Sequence, residues 1–405
     1  MINKKKFDFV LAGYLIALIA LGCIIIFSAS TTTIGGYTNT QNYWWKQAIF
    51  AVISLLAVYL LLKIPMSIFE LLIVPAYILN ILALILVLFT PPVNGAHRWF
   101  SFLGINYQPS ESAKLLTILV VARAISQDNM TEIKQIFIAL GLTVLPALLI
   151  LIEPDFGSTL VFFFSLLAML IAAELPLYYI LLLISPVISI ITSFWWIAII
   201  IWIIVLVYLL LRARLSWITI SIASILNVFL SLITPVFWNG LKDYQQQRIL
   251  SFLNPMADPL GSGYQIIQAK IAVGSGSLFG KGWLNGTQKN MHFLPEHHTD
   301  FIFSVIGEEF GFIGSLVLIG LFFLFFYRFI NDIGEIRVRE RRIAAAGIFA
   351  YLLFQTFINI GMNIGLIPAT GIPLPFISYG GSNLLFSTLA VGVVLKYLNE
   401  RGLMK

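Results

Sequence analysis

The sequence predicts an all-α integral membrane protein built as a polytopic helical bundle. Of its 405 residues, 60% are hydrophobic and only 10% are charged, whereas a soluble domain of this size carries about 25% charged residues. A water-soluble fold could not bury so much apolar surface, so lipid must be the solvent. The single cysteine, Cys23, excludes both a disulfide within the chain and a metal site built from several thiolates.

Twelve apolar segments are each long enough, or nearly so, to cross ~30 Å of hydrocarbon. We take the chain 1–405 as one membrane domain. The first segment follows three lysines, as in a signal peptide, but its apolar run of about twenty residues is too long for one, so it is predicted to be an uncleaved span. The predicted spans are 8–29, 46–63, 68–90, 111–126, 134–152, 157–173, 177–193, 195–211, 215–236, 302–327, 343–362 and 381–398.

The basic residues predict the orientation of these spans. An even number of spans puts both termini on one side, where 16 of the 24 Lys and Arg residues fall, against three in the short loops of the other side. The termini are therefore predicted to be cytoplasmic, in a plasma (inner) membrane. The densest cluster of basic residues is predicted to fix the topology by staying on the cytoplasmic side or, as the alternative, to bind anionic lipid. It consists of Arg337, Arg339, Arg341 and Arg342.

Three polar or Gly/Pro-rich stretches lie between spans on the predicted outer side. They are Pro91–Ser110, the long extracytoplasmic loop 239–300 and Ile364–Gly381. Irregular backbone at membrane depth survives only against protein or a wet cavity, so these stretches predict an outer cleft. In the long loop, Tyr264, Ile267 and Ile271 recur at helical spacing, which predicts a short helix lying in the interface.

Carboxylates are scarce enough in this chain to be informative. Asp300 stands where the long loop meets the tenth span, and two interpretations are open: Thr299 or Asp300 is a helix N-cap, or Asp300 is a general base at a cavity mouth. Glu308 and Glu309 follow roughly 12 Å deeper. Charges there are costly unless paired, so they are functional candidates or members of a structural ion pair.

Arg98, Glu111 and Lys114 form a second group of polar residues on the outer side. Glu111 and Lys114 are three residues apart and share one helix face. An outer-facing Arg and Lys suit a diphosphate, because both carry charge and several donors. The alternative is that they anchor the fourth span to lipid headgroups.

Three histidines, His292, His297 and His298, crowd near Glu296 and Asp300. Their spacing matches no zinc-ligand motif, so we predict no protein-ligated metal. A divalent cation, Mg or Mn, held on a diphosphate substrate is more plausible as a cofactor.

Six motifs together resemble the SEDS family (shape, elongation, division and sporulation) over nearly the whole chain and in the family's order. Two further stretches, 280–288 and 371–375, are similar to the elongation members of the family. The six motifs are Asn94-Gly-Ala-His-Arg98-Trp99, Gln108-Pro-Ser-Glu111-Ser-Ala-Lys114, Pro154-Asp155-Phe-Gly157-Ser, Tyr244-Gln-Gln-Gln-Arg248, Leu294-Pro295-Glu296-His-His-Thr299-Asp300-Phe-Ile-Phe303 and Pro373-Leu-Pro375-Phe-Ile-Ser378-Tyr379-Gly380-Gly381-Ser382.

The resemblance implies a peptidoglycan glycosyltransferase that polymerises lipid II into glycan strands during cell elongation and cell-shape maintenance. It implies as partners lipid II, undecaprenyl-diphosphate-linked glycan, a class B penicillin-binding protein and membrane lipid, and no nucleic acid. It assigns Asp300 as catalytic and, as substrate-binding residues, Arg98, Glu111, Lys114, Glu296, His298 and Ser378.

The alternative from another class is a lipid II flippase, which would use the same cavity but would need alternating access and no base. The polar, irregular stretches cluster on one side of the predicted bundle, which favours an enzyme.

The sequence departs from the family pattern at two places. Members typically have ten spans, whereas about three spans fall between Glu174 and Asp243 where one is expected. We therefore predict about twelve spans, with one extra, peripheral hairpin. Glu153 stands where the family commonly has Gln.

Overall fold

The computed structural model describes residues 7–34, 37–91, 97–102, 105–127, 130–240, 243–259, 261, 263–291 and 298–400. Within these ranges the chain forms fifteen α-helices and two short β-hairpins. The helices are α1 Phe9–Ser30, α2 Tyr43–Lys63, α3 Met66–Val87, α4 Pro109–Ile125, α5 Glu132–Ile152, α6 Phe156–Ala172, α7 Leu177–Thr192, α8 Trp196–Arg212, α9 Trp217–Gly240, α10 Asp243–Leu253, α11 Tyr264–Ser275, α12 Thr287–Asn290, α13 Ile302–Gly334, α14 Arg339–Asn363 and α15 Gly381–Asn399.

Each of the twelve predicted spans coincides with one helix. Eight helices of the described chain are long and apolar enough to cross a membrane, namely α1, α2, α3, α5, α9, α13, α14 and α15. Helices α6, α7 and α8 are apolar but shorter, and α4 has two charged residues in its first half. The prediction of a multi-pass helical membrane protein is confirmed. The count of twelve crossings stays a prediction.

Polar side chains satisfy several helix ends. The Asp8 carboxylate accepts from the N–H groups of Val10 and Leu11 and so caps α1. At the C-terminal end of α2, the ammonium of Lys396 donates to the carbonyls of Leu61, at 3.2 Å, and Ile64. The backbone N–H and C=O groups at a helix end have no partner within the helix, and lipid offers no water to bond them. These side chains supply the hydrogen bonds that water would otherwise provide.

Helix α4 is the centre of the bundle. Fourteen of its seventeen residues are buried, and it packs against α3, α5, α14 and α15. The main apolar core draws on α1, α4, α6, α13, α14 and α15.

Helices α7, α8 and α9 form a separate group, which we call the α7–α9 unit. Helices α8 and α9 pack against each other and against α7. They have their own small apolar core, formed by Leu206, Leu210, Ile220 and Ala223. This arrangement fits the extra hairpin that the sequence predicts in the same part of the chain.

Two antiparallel hairpins follow α1 and precede α4. Strands β1 (Thr31–Ile34) and β2 (Tyr37–Thr40) pair with Thr31 opposite Thr40. Strands β3 (Phe100–Phe102) and β4 (Ile105–Tyr107) pair with Phe100 opposite Tyr107. Irregular backbone was predicted for Pro91–Ser110, where β3 and β4 lie, and no prediction covered residues 31–40. The stretch between α14 and α15 is free of helix and strand, as predicted.

Helix α11 confirms the predicted short helix but buries a different face. Its buried residues are Ile266, Ala269 and Ala272, while Ile271 is 45% exposed. The helix packs against α13 and α14, and its position in the membrane interface stays a prediction. The small side chains of Ala269 and Ala272 on the inner face permit this close approach.

Helix α13 is interrupted at Gly311, where φ is 66° and ψ is −159°. The loop before α12 supplies the missing partners: Phe312 N–H donates to the Ser277 carbonyl at 2.9 Å, and Lys281 N–H donates to the Glu308 carbonyl at 3.0 Å. A break at membrane depth is tolerated where protein satisfies the freed backbone groups. The apolar pattern of the tenth span predicted a single continuous helix and gave no sign of this break.

Candidate active site

Asp300 lies in the turn just before α13, at the predicted outer end of the bundle. Its main-chain carbonyl accepts hydrogen bonds from two α14 side-chain amides, Asn359 at 2.9 Å and Asn363 at 3.0 Å. Both asparagines are fully buried, while Asp300 is half-buried. The two buried amides therefore fix the backbone from which the Asp300 carboxyl projects.

The start of α13 is capped from another helix. The N-cap position is Phe301, which makes no side-chain cap. The N–H and hydroxyl of Ser304 donate instead to the side-chain oxygen of Asn363, at 3.0 and 2.6 Å. The interpretation of Thr299 or Asp300 as the N-cap is therefore wrong, and capping does not explain the Asp300 carboxyl.

The Gly/Pro-rich stretch between α14 and α15 holds the same turn from the opposite side. The Ser378 hydroxyl donates to the Thr299 carbonyl at 2.6 Å and accepts from Leu374 N–H at 2.8 Å. Gly371 has φ +72°, and a Cβ built there would lie 3.5 Å from Asp300 Oδ2. Ser378, a predicted substrate-binding residue, thus uses its hydroxyl to tie the stretch to the Asp300 turn.

Aromatic rings cover the turn beside Asp300. The His298 ring stacks on Tyr43, with centroids 4.3 Å apart and an interplanar angle of 12°. Tyr379 is tilted against both rings, and its N–H donates to the His298 carbonyl at 2.9 Å. Half-buried rings of this kind offer apolar faces and polar edges to a ligand.

Glu111 and Lys114 form the predicted pair on one face of α4, but they lie inside the bundle. Lys114 Nζ and Glu111 Oε1 are 2.6 Å apart, and the two residues are 1% and 2% exposed. Asn383 donates to the other Glu111 oxygen at 2.9 Å, and the Lys114 ammonium lies 5.5 Å from the Tyr351 ring centroid. This burial excludes the alternative of lipid-headgroup anchoring.

Arg98 binds the turn between α5 and α6. Its Nε donates to the Glu153 carbonyl at 2.9 Å, and its Nη2 donates to the Pro154 carbonyl. Next along the turn, a Cβ at Gly157 would lie 2.8 Å from the Thr370 carbonyl. The Arg98 turn therefore packs on the stretch that also contacts Asp300. The structure brings Arg98 and Asp300 to one region and leaves the Glu111–Lys114 pair buried beneath it.

Glu308 and Glu309 both form ion pairs, as one of the two interpretations held. Glu308 Oε1 accepts from Lys281 Nζ at 2.6 Å and from Thr287 N–H at 2.8 Å. Glu309 pairs with the buried ammonium of Lys289, which also donates to the Ser28 carbonyl at 2.7 Å. These bonds fasten the chain between α11 and α13 to α1 and to α13 itself.

Three arginines in the first turn of α14 also bind protein groups. Arg341 lies 3.2 Å from Glu70, and Arg342 lies 2.6 Å from Glu174. Arg339 donates to the Ala173 carbonyl at 3.1 Å.

Glu296, His292 and His297 lie outside the described residues. Among the residues that the structure does describe, no group of three or more His, Cys, Asp or Glu side chains could hold a metal ion. The prediction of a divalent cation on a diphosphate substrate stays a prediction.

Sequence reasoning missed Asn359 and Asn363, which hold the Asp300 turn. A usable signal was present, since two carboxamides four residues apart share one face of an apolar span, where polar groups are expensive. It also missed Gln47 of α2, which is fully buried and donates to the Ser378 carbonyl at 3.2 Å.

Comparison with known proteins decides the family. A sequence profile of the FtsW/RodA/SpoVE cell cycle proteins matches residues 9–202 and 197–402. The chain belongs to the FtsW/RodA/SpoVE family. It is 34% identical to the peptidoglycan glycosyltransferase MrdB of Escherichia coli K12, covering 98% of this chain and 97% of that protein. It is 32% identical to the peptidoglycan glycosyltransferase RodA of Treponema pallidum, covering 98% and 99%.

Solved structures of this family share the fold. A chain from a structure that describes the coordination of polymerization and crosslinking by a peptidoglycan synthase complex superposes with a TM-score of 0.73 at 28% identity, covering 98% of each chain. The RodA crystal structure from Thermus thermophilus gives a TM-score of 0.64 at 24% identity, covering 98% of this chain and 97% of that one. The resemblance inferred from the motifs is therefore confirmed.

Proposed function

We propose that the protein is a peptidoglycan glycosyltransferase that polymerises lipid II into glycan strands during cell elongation. The observation that carries this proposal is the Asp300 turn. Asp300 is half-buried, its backbone is fixed by Asn359 and Asn363, and the N-cap position of α13 is the next residue, Phe301. Fixing a general base in this way is what proton transfer in a transition state requires. Relatives named as peptidoglycan glycosyltransferases support the same activity.

In the proposed reaction, Asp300 removes the proton from the 4-hydroxyl of the acceptor's GlcNAc. That oxygen forms a bond to the donor's anomeric carbon while the bond from this carbon to the undecaprenyl diphosphate breaks, so the configuration inverts. Arg98 offsets negative charge on the departing diphosphate, an electrostatic role that is stronger in a dry site. The Glu111–Lys114 pair supports this site from below by fixing the outer end of α4 against α15.

The substrate sugars would lie on the aromatic surface of Tyr43, His298 and Tyr379. Aromatic faces bind apolar sugar faces, and the half-burial of these rings leaves area for such contact. Ser378 would act by positioning the Asp300 turn, and Glu296 stays a predicted substrate contact. A Mg or Mn ion on the diphosphate would add charge neutralisation.

The proposed setting is the plasma membrane, with both termini in the cytoplasm and the Asp300 cleft on the outer face. A class B penicillin-binding protein is the proposed partner, because polymer made at this cleft must be crosslinked on the same side. A structural relative taken from a peptidoglycan synthase complex is in keeping with such a partner.

The test uses the purified full-length protein with lipid II, alone and with a class B penicillin-binding protein, assayed for glycan polymer. Asp300→Asn should lower the rate by about 10²–10⁴-fold, the contribution of a positioned base. The matched control is Asp258→Asn, the same change at an exposed acid of the outer loop, which should polymerise at the wild-type rate.

Two outcomes would contradict the proposal. A well-folded Asp300→Asn protein that polymerises at the wild-type rate would remove Asp300 from catalysis. Wild-type protein that moves lipid II between leaflets but makes no polymer, with or without the partner, would favour the flippase instead.

A further inference from the structure

The Glu153 carboxyl is buried without a hydrogen-bond partner. Glu153 caps the outer end of α5 and is 1% exposed. Neither carboxyl oxygen has a partner within the part of the chain that the structure describes. Nearby Asp155 is different, because its two oxygens accept from the Ser158 N–H at 3.1 Å and the Ser158 hydroxyl at 2.9 Å. Buried polar groups are rarely left unbonded, so Glu153 calls for an explanation beyond folding.

Arg98 lies beside this carboxyl but does not bind it. Its guanidinium donates to the main-chain carbonyls of Glu153 and Pro154, and no ion pair involves it among the described residues. Neutral carbonyls orient a guanidinium without cancelling its charge. Arg98 therefore presents a full positive charge in the region of Asp300.

We propose that Glu153 is a positioning residue for anion binding: while its carboxyl is neutral Arg98 is free for a diphosphate, and when it ionises it draws the guanidinium into an ion pair. The inference rests on the proposed function only in taking a diphosphate as the anion. It adds a residue that sets the charge available at Arg98.

The surroundings of Glu153 keep it neutral near pH 7. Burial and the neighbouring Asp155 carboxylate raise the pKa of Glu153 to about 8, against the opposing effect of Arg98. In the adjoining α4, Glu111 and Lys114 are bound to each other, and the third charged residue, Arg123, lies in the last turn at the opposite end of the helix. The carboxyl thus loses its proton as the pH rises through about 8, and the anion site is expected to weaken in that direction.

The coupling between ionisation of Glu153 and anion binding at Arg98 is reciprocal. If ionised Glu153 weakens anion binding at Arg98 by some factor, a bound anion must lower the acid dissociation constant of Glu153 by the same factor, which raises its pKa. Opposite charges within ~4–6 Å shift a pKa by one to three units, so we expect at least about a tenfold change in affinity.

The test measures binding of a short-chain diphosphate diester, whose own charge is constant over the range, to the full-length protein in lipid nanodiscs. Measurements at about pH 6.5 and about pH 9.5 bracket the Glu153 transition. Wild type should bind about tenfold more weakly at the higher pH, whereas Glu153→Gln should lose less than about twofold. Arg98→Gln should show weak binding that no longer depends on pH.

A wild-type affinity that is flat with pH, or a Glu153→Gln protein with the same alkaline loss as wild type, would overturn the inference. Should Glu153→Gln fail to fold, Asp155→Asn provides a second test. Asparagine still caps α6, and removal of the neighbouring charge should move the loss of binding to lower pH; an unmoved transition would also overturn the inference. Binding is measured without polymerisation, so absence of glycan polymer would count only against the proposed function.

Discussion

The central bundle and the α7–α9 unit solve the problem of polar groups in lipid in different ways. In the α7–α9 unit the buried polar residues are neutral: Ser189 donates to Asn227 at 2.6 Å, Asn227 donates to Ser185 at 3.0 Å, and Trp202 donates to Ser189 at 3.0 Å. The central bundle instead buries full charges in the pairs Glu111–Lys114 and Lys289–Glu309.

Neutral hydrogen bonds and buried ion pairs differ in what they contribute to stability. Neutral hydrogen bonds between membrane helices stabilise their packing without the desolvation of charged groups. Buried ions demand desolvation of both partners, and such pairs are weak evidence for stability in themselves. The buried ion pairs lie in the central bundle, which also holds the Asp300 turn, whereas the only charged side chain described within helices α7 to α9, Arg212, is exposed.

The largest expected effect is on stability, from breaking a buried pair in the bundle. Lys289→Met should destabilise the protein by about 3–5 kcal/mol, because it leaves the Glu309 carboxylate buried and uncompensated. Thermal unfolding of purified protein measures this. Adding Glu309→Gln should recover at least half of the loss, since a neutral amide can still bond Ser28. A single variant as stable as wild type would show that the pair does not fasten the chain around α12 to α1 and α13.

The next effect is on activity, from loosening the Asp300 turn. Asn363→Ala removes a donor to the Asp300 carbonyl and the acceptor for Ser304. A displacement of about 1 Å can cost 10²-fold in rate, so we expect polymerisation to fall by roughly 10- to 100-fold. Initial rates with lipid II provide the measurement. Full activity in a folded variant would mean that the asparagine does not position Asp300.

The smallest effect comes from the same substitution in the α7–α9 unit. Asn227 is as buried as Asn363, so Asn227→Ala is a matched control for the loss of a buried amide. It should cost about 0.6–1.7 kcal/mol of stability, the range for hydrogen bonds between membrane helices, and leave the polymerisation rate unchanged. A rate loss comparable to that of Asn363→Ala would erase the distinction between the two regions.

Sequence reasoning located the parts of the molecule whose signal is local. Apolar length identified all twelve spans as helices, and helical spacing identified the Glu111–Lys114 pair. The position of Asp300 at the start of an apolar span made it a candidate but left capping and catalysis open, and only the family resemblance assigned it as catalytic. The burial of the Glu111–Lys114 pair was not predictable, since it depends on how α14 and α15 close over α4.

The missed features all depend on distant partners. Gly311 breaks α13 only because residues from the preceding loop bond the freed backbone. The buried face of α11 follows from its contact with α13 and α14, which apolar periodicity does not encode. Arg98 finds its partners in the turn after α5, 55 residues along the chain.

The break in α13 also has a consequence for biogenesis. The segment that completes it, residues 277–282, is made about thirty residues before the break. Because synthesis runs from the N-terminus, this segment has emerged before the helix that needs it. The bond between Lys289 and Ser28 joins residues 261 apart and must await the return of the chain to α1. The backbone hydrogen bonds at the break in α13 can therefore form early, because their partners are close in the sequence. The bond from Lys289 to α1 forms later, because its partners are far apart in the sequence.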